Sequence, residues 1–132
     1  MDAAPSPEIG TLVWTDLTVP DAESIRDFYG AVIGWSHSPV EMKGYNDYQM
    51  NNPATGEAVA GICHARGVNA GCPAQWLLYF RVADIDKSIA QCVQYGGTLL
   101  VPPKAMGVSG RFCVIQDPAG AVVALIQPPA SP

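Results

Sequence analysis

The chain has 132 residues, 48% hydrophobic and 14% charged, with a formal net charge of −5. That is enough apolar sequence for one domain with a real core and too much for disorder, and the charge has the wrong sign for a nucleic-acid partner. No apolar run approaches the ~18 residues of a membrane span, and the opening MDAAPSPE lacks the basic and apolar regions of a signal peptide, which predicts a cytoplasmic protein with no membrane partner.

TLVWTDLTVPD, residues 11 to 21, reads as the first strand. Val13, Thr15, Leu17 and Val19 alternate on one face, and Trp14, Asp16 and Thr18 share the other. A large aromatic beside a carboxylate suits neither bulk water nor a dry core; a half-wet cavity suits both. Asp21 then stands as an N-cap, and Ile25, Phe28, Tyr29 and Val32 form the apolar stripe of a helix over about 21 to 33, stopped by Gly34. YNDYQMNNPATGEAVAGICH follows as strand, turn, strand, its turn ending in Gly56. HARGVNAGCPA, rich in glycine and small residues, is a linker. WLLYFR reads as the fifth strand, and Asp84 leads a second helix over about 85 to 95, with Ile85, Ile89, Cys92 and Val93 as its stripe and Gly97 at its end. PPKAMGVSG, residues 102 to 110, is expected as a loop before GRFCVIQDPAGAVVALIQ, a second strand, turn, strand with Gly120 in its turn.

The two halves repeat. Asp21 and Asp84 lie 63 residues apart, as do Gly34 and Gly97, Pro39 and Pro102, and Gly44 and Gly107, while Gly56 and Gly120 differ by 64. The chain therefore reads as an α+β fold of two βαβββ modules, about 9–64 and 75–128, joined by a linker over 65–74 within one domain over 1–132. Each module's helix covers one sheet face and leaves the other bare. Two bare faces predict a cupped mixed sheet around a cavity, with both helices outside. The four cysteines show no C-x-x-C pair or zinc spacing and are expected to be reduced and structural; His37 and His64 are expected on the surface.

Paired βαβββ modules, DAESIRDFYGAVIGW after the first strand and DPAGAVVALIQP at the end resemble the vicinal oxygen chelate superfamily, the glyoxalase, bleomycin-resistance and extradiol-dioxygenase fold, in its glyoxalase-like branch. The resemblance covers roughly residues 9 to 128 and says more about fold than about any single reaction. In metal-dependent members it implies a ligand on the first and last strand of each module. Those positions here are Trp14, Ala60, Leu77 and Ala124, which cannot ligate a divalent cation; their strand neighbours supply no strong ligand either. The expectation is a protein with no metal and no cofactor, and neither a metal-dependent glyoxalase nor a dioxygenase.

Period-two alternation places Trp14, Asp16, Leu77 and Tyr79 on the inward face, and residues opposite Ala60 and Ala124 share it: Tyr48 and Met50 in the first hairpin, Arg111, Cys113 and Ile115 in the second. Met106 is a candidate contact at the cavity mouth. Three functions stay open. The favoured one is metal-independent binding of a small aromatic or apolar molecule, in the manner of antibiotic sequestration. The alternatives are a metal-free enzyme (lyase, isomerase or hydroxylase-like) with Asp16 or Tyr79 as general acid or base, and a module that has lost its ligand. A homodimer is expected, since such modules pair and open sheet edges need cover.

Overall fold

The computed structural model describes residues 8–106 and 110–129, and every statement below concerns those residues, the side chain of Val68 excepted. The MDAAPSP opening, Gly107 and the middle of the 102–110 segment lie outside them. The elements run β1 (Leu12–Val19), α1 (Ala22–Ile33), β2 (Ser36–Glu41), β3 (Asn46–Asn51), β4 (Ala58–His64), a single 3-10 turn (Gly67–Asn69), β5 (Trp76–Arg81), α2 (Ile85–Gln94), β6 (Thr98–Ala105), β7 (Arg111–Gln116) and β8 (Val122–Gln127). This is the α+β succession of two βαβββ modules that the repeat implied.

Local chemistry explains the matching boundaries. Asp21 caps α1 by accepting from Ser24 N at 3.3 Å, and Asp84 caps α2 by accepting from Asp86 N at 3.0 Å and Lys87 N at 3.2 Å. The hairpin turns also match: Asn52 Oδ1 accepts from Ala54 N at 2.9 Å, and Asp117 Oδ1 accepts from Ala119 N at 2.8 Å. Two boundaries differ from expectation. α2 ends at Gln94, with Gly96 rather than Gly97 in the left-handed region. β6 runs through Pro102 and Pro103, where a loop was expected; it pairs only with β7, and its register shifts twice, so the prolines break no ladder on their free side.

The chain divides into two compact units: Trp14–Trp76, and the described residues on either side of it. In the first unit the strand order is β2-β3-β4-β1, with β1 and β4 parallel and the other pairs antiparallel. α1 covers one face. Beneath it Ala22, Ile25 and Tyr29 pack with Tyr48, Met50, Ala60, Ile62, Trp35 and Trp76, and Trp76 Nε1 donates to the Tyr29 hydroxyl at 3.0 Å. Phe28 and Val32, expected in this stripe, are 54% and 64% exposed, because the contact face is centred on Ala22, Ile25 and Tyr29.

In the second unit the order is β5-β8-β7-β6, with β5 and β8 parallel. Ile85 and Ile89 of α2 pack on Cys113, Leu125, Leu99 and Ile115, whereas Val93, also expected inward, is 60% exposed. The segment before β1 belongs to this unit: Gly10 N donates to Arg81 O at 2.7 Å, and Glu8 pairs with Arg81 at 2.9 Å.

Candidate functional site

Strand register shows which side chains share the face of the first unit opposite α1. Ser38 pairs with Gln49, Gln49 with Gly61, and Gly61 with Asp16, so these four form one row across four strands. Beside the row, Asn51 accepts from Gln49 Nε2 at 2.8 Å and donates through Nδ2 to Ser38 Oγ at 2.9 Å. Asp16 (7% exposed), Thr18, Asp47 and Asn51 are buried. Burial pushes the Cys63 thiol up, and the nearby Asp16 and Asp47 carboxylates add to the shift, which keeps it protonated and inert.

Gly61 explains how Trp14 and Asp16 occupy one face. A Cβ at position 61 would lie 3.1 Å from Asp16 Cβ, 3.5 Å from Trp14 Nε1 and 3.6 Å from Trp14 Cζ2. The indole and the Asp16 side chain at its Cβ therefore fill the space over a residue without a side chain. A polar row ending in a carboxylate, flanked by an aromatic, suits a ligand with a flat ring system and hydrogen-bonding substituents.

The equivalent row of the second unit differs. Tyr79 pairs with Ala124, Ala124 with Val114, and Val114 with Val101, all of them buried. Tyr79 lies 6.1 Å from the Phe112 ring, and Leu77 is buried as well. The repeat thus carries a polar row in one module and an apolar row in the other.

Several residues expected on the face opposite the helices lie under them instead. Tyr48, Met50 and Ala60 belong to the core beneath α1. Met50 does pair with Ala60, as expected, but Asn51 pairs with Ala58, so Val59 is the extra residue of a β-bulge. That residue absorbs the 64-residue spacing of the turns, and Gly61, not Ala60, is the counterpart of Ala124. One added residue turns every later side chain to the other face. In the second hairpin Val114, not Cys113, pairs with Ala124. Cys113 and Ile115 therefore pack under α2, where burial pushes the Cys113 thiol up to about 11. Arg111 shares that side and lies 3.5 Å from Asp86 of α2. Leu77, Tyr79 and Ala124 do share one face. Met106 is half-buried just after β6, its N–H donating to Gly110 O at 2.7 Å.

In the observed register the four family ligand positions hold Trp14, Gly61, Leu77 and Ala124, whose side chains do not fit a divalent cation. Among the described residues no group of three or more His, Cys, Asp and Glu could hold a metal ion. His64, expected at the surface, is buried: its Nε2 lies 2.8 Å from Glu23 Oε2, and its backbone N–H donates to Asp47 Oδ1 at 2.8 Å. Its Nδ1 is buried without a hydrogen bond, 3.5 Å from Asp47 Oδ1.

The Ser38, Gln49 and Asn51 ladder is the part of the site that the sequence reading missed. NDYQMN carries the signal, since Asp47, Gln49 and Asn51 alternate with the apolar Tyr48 and Met50.

Two mixed four-stranded units, each a βαβββ module with a helix on one face, define the glyoxalase-type fold class. The match extends to the family: the model of the Glyoxalase/Bleomycin resistance protein/Dioxygenase superfamily covers residues 11–125, and the chain belongs to that superfamily. A Mycobacterium tuberculosis protein named "Putative glyoxylase CFP32" is 33% identical over 92% of this chain and 45% of its own length. The anthracycline biosynthesis protein DnrV of Streptomyces peucetius is 29% identical over 88% of this chain and 46% of its own length. The chain thus spans about half the length of the curated relatives it matches. Methylmalonyl-CoA epimerase from Mycobacterium tuberculosis shares the fold, with a TM-score of 0.55 at 17% identity over 96% of this chain and 94% of that one. No helix among the described residues is long and apolar enough to cross a membrane.

Proposed function

We propose that this superfamily member binds a small aromatic molecule without a metal ion, on the sheet face opposite α1, and that it does so as a cytoplasmic homodimer in the manner of antibiotic sequestration. The observation that carries the reading is the polar row of buried Asp16 with half-buried Gln49 and Ser38 beside Trp14, at a position where the family's ligand residues are replaced by groups that cannot hold a cation. The indole offers a stacking surface, and the row offers a carboxylate acceptor and amide groups for phenol and carbonyl substituents. The names of the Streptomyces relatives point to aromatic polyketides of the anthracycline type as ligands of this chemistry. Those relatives are about twice as long as this chain, a length that two copies of it would supply. Calorimetric titration with an anthracycline aglycone, in EDTA and again with added zinc or nickel, tests the reading. Equal affinity in both conditions is expected; binding only with metal would overturn it.

The second reading is a metal-free enzyme with Asp16 as general acid or base, supported by the burial of that carboxylate beside an aromatic. Tyr79 is the weaker candidate for this role because it is packed in the apolar row against Phe112. Turnover of the bound aglycone by the wild-type protein, lost in Asp16→Asn, would select this reading over sequestration.

A further inference from the structure

A cleft of about 660 Å³ lies within the first unit, lined by Glu41, Met42, Lys43 and Tyr45 from the β2–β3 hairpin and by Arg66 and Gly67 from the turn after β4. It is separate from the polar row, sharing none of its lining residues with Ser38, Gln49, Gly61 and Asp16. The Arg66 guanidinium lies over the Tyr45 ring at 4.0 Å. The same ring makes a T-shaped contact with His64 at 5.5 Å, and His64 is itself held by Glu23. Arg66, although exposed, is thus seated on a ring that packs against a buried histidine. Gly67 allows the arrangement: its φ is +58°, and a Cβ there would stand 2.9 Å from the Tyr45 hydroxyl.

The charge in this cleft is unspent. Among the described residues neither Arg66 nor Lys43 has an ion-pair partner, in a chain whose net charge is −5. Glu41 offsets one of the two cations, which leaves a positive lining of mainly apolar surface. A guanidinium presents parallel N–H donors to a carboxylate, and Met42 and Tyr45 suit a flat apolar body. The volume is that of a small-molecule site. We propose that this cleft is a second binding site, selective for aromatic carboxylates, with Arg66 as the carboxylate clamp and Lys43 as its supporting charge.

The probe is 2-naphthoate, with 2-naphthamide as its neutral counterpart, titrated into the isotopically labelled full chain and followed by amide chemical shifts. Naphthoate should shift the amides of residues 42–45 and 65–67 saturably, and naphthamide should bind about tenfold more weakly or worse, the worth of a charge-assisted hydrogen bond. Arg66→Gln should weaken naphthoate to the level of the amide, whereas Lys87→Gln, which removes a cation from α2, should leave it unchanged. Arg66 is exposed, and the unchanged remainder of the spectrum will verify the fold of its variant. Equal binding of acid and amide, retained affinity in Arg66→Gln, shifts confined to the Trp14 and Asp16 face, or no saturable shift at millimolar naphthoate would each overturn the proposal. Since the aglycone titration reads a different face, the two readings fail separately.

Discussion

Replacing Gly61 with alanine tests whether Trp14 and Asp16 share the space over that glycine. The added methyl would sit 3.1 Å from Asp16 Cβ and 3.5–3.6 Å from two Trp14 ring atoms. The two contacts differ in kind. The indole can rotate away, but Asp16 Cβ is fixed to the backbone of β1, which is paired directly with β4 at this residue. Relief therefore requires the strands to part by a few tenths of an ångström or the carboxylate to leave its position. Overpacking of this sort costs about 1–3 kcal/mol, and the backbone-anchored contact places Gly61→Ala within that range rather than below it. Urea denaturation should show a lower midpoint with an unchanged slope, and tryptophan emission should shift as Trp14 moves toward solvent. Affinity for the aglycone should fall with it. A midpoint and an emission spectrum both identical to wild type would refute the packing argument.

Other outcomes are expected. Asp16→Asn should weaken aglycone binding about tenfold, by loss of a charged acceptor, while chemical denaturation shows stability little changed; marked destabilisation with binding intact would make Asp16 structural. Cys113, buried under α2, should resist a disulfide-exchange reagent in the native protein at pH 8 and react fully in urea. Its folded pKa of about 11 lies above the ordinary 9.0, so its contribution is intact below pH 9 and should be lost between pH 9 and 11, read as a fall of the urea midpoint that is shallower in a Cys113→Ala variant, where the raised Cys63 thiol still supplies it. Glu23 is held below its usual value of 4.5 by a backbone hydrogen bond first and by His64 after it. Its contribution is present above pH 4.5 and lost as pH falls through the lowered value, so Glu23→Gln should flatten the acid limb of the stability profile.

The sequence by itself determined the two modules, their helices and their turns. Capping aspartates, turn-opening Asn52 and Asp117 and the 63-residue spacing act locally, and local signals survive into the fold. It also determined that Trp14, Leu77 and Ala124 cannot hold a cation, and it placed Trp14 and Asp16 together. The face of each hairpin strand was a tertiary matter. RFCVIQ is apolar on both sides because one side packs under α2 and the other is buried too, so it has no alternation to read, and the count from the turn fell one residue out of step. In the first hairpin the bulge at Val59 did the same to Ala60, moving the ligand-equivalent position to Gly61. A strand's side chains repeat every two residues, so a single inserted residue, silent in composition and pattern, exchanges core for surface; only the pairing of β4 with its neighbours decided which side Gly61 would occupy.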